Sequence, residues 1–530
     1  MIKGLNMATK EKTLKDELLE KHPDYLANIT DWNFYDSAYN GGQSFIDLVL
    51  TKNERESDGN YNKRKKNSYY INFSREIIDI FNFYLTEKPV IRQFGPLGKN
   101  TQWMMFEDDC DLEGTNFDVF MNELSVMAST VGSVGVLVDK PRGDGEPIIS
   151  KQDEINKDIY PYCAVYTRPN VFDWEWIRDP ATGKRIYTYL KLCEENNDIT
   201  KWYQDRWERW RFPLDSQGKE LDPIIVDSGI NPLGIIPFVW LENIKRTSKK
   251  DLGLSDIIEI SKVSGSIVRD FSHADEVIEY AAFPMLLEPW EHDGSENPGS
   301  GGETSEVGVR AVKGFDAENP QSKPSWLEAE VLDPIDAVLK MIDKKVDYIF
   351  QMAHLSGVHS VEKSREARSG VALRMEFNQL WSVLSKKSNN MNEAELKIIW
   401  FWLIWQNETA LYNNVDITRS KDFSVDDLSQ SLYNLRESLK LVLSKVYNKA
   451  VQRQTVKMVL PDLSPEEVAL VNKEIDSNDS MINLTQDLNT QDQRQRGLGQ
   501  AEDIDKEEIG GPTNVVTREK EKRRRDRKEP

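Results

Sequence analysis

The sequence is poor in the residues on which many enzymes, metal proteins and secreted proteins depend. Its 530 residues include only 3 cysteines and 5 histidines. Cys110, Cys163 and Cys193 are odd in number and lack metal-ligand spacing, so we interpret them as reduced core residues in an intracellular assembly. His354 and His359 lie outside any His-Glu-x-x-His pattern, which disfavours a metal site.

Long apolar runs are also missing. The most apolar window, Ile398–Trp405, is far shorter than the roughly 18 residues of a membrane-spanning helix. The first residues lack the apolar segment of a signal peptide. The net charge of −21 argues against a protein that grips nucleic acid over a wide surface. It is compatible with one that lets DNA pass without holding it.

Motifs for nucleotide and acyl chemistry are absent. A P-loop needs a glycine five residues before its Gly-Lys pair, and the three Gly-Lys pairs have Gln93, Arg178 and Pro213 there. No Gly-x-Ser-x-Gly elbow occurs. The segment Asp109–Gly114 imitates the start of an EF-hand loop, but its twelfth position is Phe120 and not glutamate. We therefore expect no enzyme activity, no catalytic residues, no metal and no cofactor.

The pattern that is present predicts an α+β fold that is mainly helical. Apolar residues recur at helical spacing in Asn72–Leu85 and Asn116–Val131. Ser133–Asp139 is typical of a buried strand, and residues 160–212 are rich in strand patterns. Tryptophans and arginines alternate in 202–211, which indicates a sheet whose aromatics pack, with single-strand nucleic-acid binding as the alternative.

A basic run, Lys63–Lys66, lies in the polar stretch 51–69. Such runs are usually solvated loops, and a nucleic-acid or partner patch is the alternative.

Two long helices dominate the middle of the chain. The first is predicted over Leu254–Ala282, and the second starts at Asp333-Pro334, where proline is tolerated, and runs to Leu355. The second is about 33 Å long at 1.5 Å per residue. Seven apolar positions form one stripe along it: Ile335, Val338, Leu339, Ile342, Val346, Ile349 and Phe350. A third helix opens at Ser369-Gly370.

Several of these pieces, in order, resemble the portal proteins of tailed bacteriophages. They are the Asn72–Leu85 helix before Lys88-Pro89-Val90, the strand Gly132–Asp139, Asn170–Trp174, Gly234–Val239, Gly253-Leu-Ser-Asp256 opening a long helix, and Ser369–Ala372 opening another. The resemblance covers roughly residues 70–410. Each piece alone is weak, and the ordered set is fairly specific.

The resemblance implies a portal fold with a wing, a stem of two long helices, a small α/β clip and a helical crown. The implied divisions are an N-terminal arm and wing (1–252), first stem helix (253–282), clip (283–333), second stem helix (334–355), tunnel loop (356–368), long wing helix (369–411), crown (412–475) and polar C-terminal tail (476–530). We expect the tail to be disordered on composition.

The residues expected to meet DNA are basic. Lys363, Arg365 and Arg368 lie in the loop that resembles the tunnel loop, where contacts would be to phosphates and independent of sequence. Lys340 and Lys344 share a face of the second stem helix and are possible channel-lining residues. Pairing with nearby aspartates is an equal alternative for these two lysines. A solvated mixed-charge loop is the alternative for the first three.

The implied function is the ring channel at the capsid vertex through which double-stranded DNA is packaged and ejected. The implied partners are further copies in a dodecameric ring, the major capsid protein, terminase, and head-completion or tail proteins, with no membrane partner. The implied location is the virion, and the host cytoplasm during assembly. The alternative is a structural or adaptor protein of another large assembly, without a DNA channel.

Overall fold

The computed structural model describes residues 13–141, 150–215, 217, 219, 221–247, 251–282, 285–287, 325–327, 332–355, 370–421, 423, 445–459 and 465–477. The chain divides into two compact units, residues 1–423 and 424–530. None of the helices within these ranges is both long enough and apolar enough to cross a lipid bilayer.

Helices and antiparallel sheets are mixed, and helices hold more of the described residues, which agrees with the predicted α+β class. The helices are α1 (Leu14–Leu19), α2 (Pro23–Asn40), α3 (Gly42–Val49), α4 (Asp58–Asn67), α5 (Phe73–Thr86), α6 (Thr101–Asp108), α7 (Phe117–Val131), α8 (Lys151–Asn156), α9 (Ile258–Ala282), α10 (Leu332–Met352), α11 (Gly370–Trp405), α12 (Lys445–Val459) and α13 (Pro465–Ser477). The strands are β1 (Ile91–Gln93), β2 (Ser133–Asp139), β3 (Tyr162–Thr167), β4 (Val171–Arg178), β5 (Arg185–Cys193), β6 (Ile199–Tyr203), β7 (Arg206–Arg211), β8 (Ile224–Ile230), β9 (Phe238–Glu242), β10 (Met285–Leu287), β11 (Ser325–Leu327) and β12 (Asp416–Thr418).

The two amphipathic helices predicted in the first third of the chain are confirmed as α5 and α7. Each begins after an asparagine cap: the side chain of Asn72 accepts from the N–H of Arg75 at 2.9 Å, and that of Asn116 accepts from Asp118 at 2.9 Å. Such caps satisfy backbone donors that the first helical turn leaves unpaired. Helix α7 ends at Gly132, whose φ of +94° is the left-handed conformation that glycine adopts without strain.

Strand β2 is the centre of a three-stranded antiparallel sheet in the order β3-β2-β9. Its residues from Ser133 to Val138 are all buried, as the apolar run predicts. Helix α11 packs against this layer, and the indole N–H of Trp405 donates to the carbonyl of Val138 at 2.7 Å. The most apolar window of the sequence is therefore core: Trp402 is fully buried, with its ring centroid 5.0 Å from that of Trp103.

A five-stranded antiparallel sheet follows in the order β4-β5-β6-β7-β8. Trp202 and Trp207 are buried on one of its faces, as the interpretation of a packed sheet requires. On the opposite face, two buried lysines hold helix α1. Lys191 donates to the carbonyls of Glu17 and Glu20 at 2.9 and 2.7 Å, and Lys201 donates to the Glu17 carboxylate at 2.8 Å.

The three predicted long helices are present with shifted bounds. The first starts at Ile258, later than the predicted Leu254, because Leu254–Asp256 forms the bonds that precede the helix. The second spans Leu332–Met352 and the third ends at Trp405, followed by a 3-10 turn over Thr409–Asn414. Strands β10 and β11 pair directly after the first helix and before the second, so these two helices run in opposite directions.

The region predicted as crown, 412–475, is divided in the structure. Residues up to Phe423 belong to the first unit. Strand β12 pairs with β1 there, and its apolar residue Ile417 is buried. Glu395 of α11 is fully buried beside this pair and binds both Arg92 and Arg419. In the second unit the described helices are α12 and α13. Residues 288–324 of the predicted clip, the loop 356–368 and the tail 478–530 lie outside the described residues.

Candidate functional site

The antiparallel pair of α9 and α10 is the candidate site, because it carries the features predicted for a channel stem. At 1.5 Å per residue, helices of 25 and 21 residues are about 37 and 31 Å long. Ile342, Ile349 and Phe350 of α10 are buried in the same core as Ile267 and Val268 of α9. The pair is therefore joined along an apolar seam.

A polar contact fixes the register of the two helices. The ammonium of Lys345 in α10 donates to the hydroxyl of Ser266 at 2.7 Å and forms an ion pair with Asp270, both in α9. The three side chains lie near the middle of the helix pair. Those of Lys345 and Asp270 are only about one-fifth exposed. Sliding one helix against the other would leave this charge partly buried and unpaired.

The start of α9 is held by the C-terminal end of α7. The Ser255 hydroxyl donates to the carbonyls of Ser129 and Thr130 at 3.2 and 2.6 Å and accepts from the N–H of Ile257 at 3.1 Å. A Cβ at Gly253 would lie 1.8 Å from the carbonyl oxygen of Gly132, so only glycine fits there. The Gly253-Leu-Ser-Asp segment thus owes its residue types to this junction.

A buried charge joins the same junction to the long helix α11. Lys387 forms an ion pair with Asp256 and donates to the Ser129 hydroxyl at 3.1 Å. Asn243 donates to the other carboxylate oxygen of Asp256 at 2.9 Å. Burial lowers the pKa of Lys387, and the nearby Asp256 carboxylate opposes that change. The four chain segments that meet here are consequently held by hydrogen bonds as well as by packing.

The basic run Lys63–Lys66 is a helix and not a loop, and it braces α9. Arg64 in α4 is buried; it binds the Glu56 carboxylate with two hydrogen bonds of 2.8 and 2.7 Å and donates to the hydroxyl of Ser272 in α9 at 3.2 Å. Lys63 pairs with Glu279, near the other end of α9. These contacts favour a structural role for the run over the nucleic-acid alternative.

The structure places two of the five predicted DNA-facing residues. Lys340 and Lys344 are both exposed on α10, away from the seam with α9. The Lys340 ammonium lies 3.9 Å from the carboxylate of Asp336 one turn earlier, a pairing that the sequence left open. Lys363, Arg365 and Arg368 lie outside the described residues.

The solvent-facing side of α10 is not uniformly polar. Met341, Tyr348 and Met352, which share one face of the helix, are 53%, 57% and 39% exposed. Leu339 belongs to the predicted apolar stripe and is 45% exposed, whereas Val338 is half-buried and Ile342 is buried. Exposed apolar groups in such a row are typical of a surface that contacts another chain.

The carboxylates of the acidic turn at Asp109–Gly114 accept hydrogen bonds from nearby backbone N–H groups. The Asp109 carboxylate accepts from the N–H of Gly114 at 3.0 Å, and that of Asp111 accepts from Glu113 and Thr115 at 2.9 and 3.2 Å. Within the described ranges no group of three or more acidic, histidine or cysteine side chains is arranged to hold a metal ion.

Comparison with known proteins gives a coarse likeness in fold. No family model matches the sequence, and no curated protein matches it. Among solved structures, the chain is similar to one from the neck of a native gene transfer agent (GTA) particle computed with C12 symmetry. The match has 9% sequence identity and a TM-score of 0.36, and it covers 86% of this chain and 94% of that chain. A chain from the neck of an empty GTA particle computed with C6 symmetry matches with 8% sequence identity and a TM-score of 0.35. That match covers 76% of this chain and 89% of that chain.

Proposed function

We propose that this protein is a phage portal protein, the subunit of a ring that forms the DNA channel at a capsid vertex. The observation that carries the proposal is the antiparallel pair α9–α10, braced at its base and joined by paired strands at its far end. Its position in the chain matches the stem implied by the ordered sequence pieces. A pair of helices about 30 Å long with an apolar outer row needs neighbours to cover that row.

In this proposal, Met341, Tyr348 and Met352 contact the adjacent subunit of the ring. Lys340 and Lys344 line the channel, and Lys363, Arg365 and Arg368 form a basic collar that meets phosphates without reading sequence. The net charge of −21 repels phosphates, and at physiological salt this repulsion acts only within about 8 Å, so DNA is held at the basic collar alone. The protein is not an enzyme and needs no cofactor.

The further partners in the proposal are the major capsid protein, terminase during packaging, and head-completion or tail proteins afterwards. The subunit number proposed is twelve. The protein works in the virion at the portal vertex, after assembly in the host cytoplasm.

Electron microscopy of the purified full-length protein tests the proposal. We expect rings with a central hole, and class averages that give the subunit number. Monomers or solid particles at all concentrations and salt conditions tried would contradict it. Met341→Ser/Tyr348→Ser should reduce the ring fraction, while the matched change of exposed apolar residues elsewhere, Leu26→Ser/Leu48→Ser, should leave it unchanged.

A further inference from the structure

The last strand of the five-stranded sheet, β8, is an apolar edge strand. Ile224, Ile225 and Val226 are 52%, 50% and 44% exposed, and Ile230 is 80% exposed. Edge strands usually contain lysine or proline, or are very short, and these features prevent them from pairing with other chains. Strand β8 has seven residues and none of these protections, and its single charge is Asp227.

Only one side of β8 is paired. On its inner side it pairs with β7, where Trp207 lies opposite Gly229, and a Cβ at that glycine would lie 2.6 Å from the indole nitrogen. On its outer side, none of the described strands forms a ladder with it. The backbone N–H and C=O groups of that side are therefore a template for another strand.

The opposite edge of the same sheet is half covered. At the start of β4, the N–H of His22 donates to the carbonyl of Phe172 at 2.9 Å, and the His22 ring stacks on Trp174 with centroids 4.0 Å apart. The second half of β4, from Glu175 to Arg178, is exposed, and it includes Trp176 and Ile177. The sheet thus has a seven-residue open edge at β8 and a four-residue open edge at the end of β4, both with exposed apolar side chains.

The charges favour contact between different edges over contact of β8 with a second β8. Strand β8 carries Asp227 near its centre, which would face its own copy in a symmetric β8–β8 pair. The open end of β4 carries exposed Arg178 and Lys184.

The charges near β4 that already have partners do not change this preference. Arg185 pairs with Asp251, and the carboxylate of Asp179 accepts hydrogen bonds from the N–H groups of Ala181 and Thr182 at 3.1 and 3.2 Å. Glu175 remains as one acidic group on that edge.

The topology of the sheet makes a β4–β8 contact repeatable. Because the five strands alternate in direction, β4 and β8 run the same way. A neighbour related by a simple rotation therefore brings its β4 parallel to β8 and leaves its own β8 free for the next copy. Such a head-to-tail contact forms a closed ring when the rotation closes.

We propose that β8 of each subunit pairs with the exposed half of β4 of the next copy and so fastens the subunits into the ring. The occupant of the β8 edge is a second copy of this chain. This inference rests on the proposed ring but concerns a surface away from the α9–α10 pair.

Cross-linking tests the geometry. The background variant is Cys193→Ser, because Cys193 is the one cysteine of the three that is not fully buried. In that background, Ile177→Cys/Ile225→Cys should give a ladder of multimers with a short bis-maleimide, and each single cysteine variant should give none. Dimers from Ile225→Cys alone would show β8–β8 contact and overturn the proposal.

Charge reversal tests the energetics. Asp227→Lys should raise the protein concentration for half-assembly about tenfold, which corresponds to about 1.4 kcal/mol. Arg178→Glu should do the same, and the two changes together should restore assembly. Failure of the combination to recover would overturn the pairing of these two edges.

The outcomes separate this inference from the portal proposal. Rings seen by microscopy that never cross-link through Ile177→Cys/Ile225→Cys would overturn the β4–β8 contact and leave the portal proposal standing. A cross-linked ladder without rings with a central hole would support the contact and contradict the portal proposal.

Discussion

Lys387 of α11 forms an ion pair with Asp256, the residue that leads into α9, and both side chains are at most 3% exposed. The lysine ammonium also lies 4.9 Å from the ring centroid of Phe81. One charged contact thus connects α11, the base of the α9–α10 pair and α5. Because the pair is shielded from water, it determines how rigidly α9 is mounted on the rest of the first unit.

Replacing Lys387 by methionine should destabilise the first unit strongly. The change leaves the Asp256 carboxylate buried without its cation, which costs about 3–5 kcal/mol in comparable cases. Urea unfolding followed by tryptophan fluorescence measures the loss. The control is Lys386→Met, one residue earlier and exposed, which should change stability by less than about 0.5 kcal/mol. Equal effects of the two variants would contradict a structural role for the ion pair.

Stability should fall between pH 5 and pH 2 through Glu56. The hydrogen bonds from Arg64 are the main reason that the pKa of Glu56 is lowered from 4.5 to about 2. A carboxyl with a lowered folded-state pKa stabilises the protein above its unfolded pKa, and this contribution is lost as pH falls toward the folded value. At about 1.36 kcal/mol per pH unit the lowering corresponds to about 3.4 kcal/mol at most, and screening by solvent reduces this contribution.

Glu56→Gln should remove that part of the pH dependence. Thermal unfolding at pH 5 and pH 3 should show a smaller difference for this variant than for the wild type. Glu54→Gln, an exposed change in the same segment, is the control and should retain the wild-type difference. An unchanged pH dependence in Glu56→Gln would count against the Arg64 contact.

Gly253→Ala should be among the most damaging single substitutions. The added methyl would lie 1.8 Å from the Gly132 carbonyl, an oxygen that already accepts from the N–H of Asn243 at 2.9 Å. We expect a loss of at least about 3 kcal/mol or failure to fold. Gly59→Ala in α4 has open space and should be neutral or stabilising, so circular dichroism melts of the two variants form a matched test.

Neutralising the proposed collar should separate assembly from DNA handling. Lys363→Ala/Arg365→Ala/Arg368→Ala should reduce packaged or retained DNA, because the phosphate contacts are lost, while rings form normally. Particle DNA content measured against ring yield checks this. The control removes three exposed lysines elsewhere, Lys99, Lys386 and Lys421. Normal DNA content in the collar variant would remove the collar from the proposal.

Local signals in the sequence were sufficient for individual elements. Helices α5 and α7 followed from apolar spacing, and both are determined within about fifteen residues of chain. Six of the seven positions of the predicted stripe on α10 are buried or half-buried in the single chain, and Leu339 is 45% exposed. Whether a helix face is covered depends on neighbours that the spacing does not specify.

The polar junctions could not be predicted, because their partners are far apart in sequence. Lys387 and Asp256 are separated by more than one hundred residues, as are Arg64 and Ser272. One signal for Lys387 existed: it lies in the apolar repeat Leu380, Leu384, Lys387, Met391 and Ala394, all buried. A lysine at a core position of such a repeat indicates a buried partner but does not identify it.

The pairing of β1 with β12 has a consequence for synthesis of the chain. It joins residues more than 300 positions apart. In the same region, the ion pair of Arg92 with Glu395 also forms only after the later residue has been synthesised. At about 5–20 residues per second, a ribosome needs roughly 15–65 s to travel that distance. During this interval the apolar surface of the N-terminal helices is exposed to solvent. Slow translation of residues 94–415 should therefore make nascent chains aggregate or recruit chaperones.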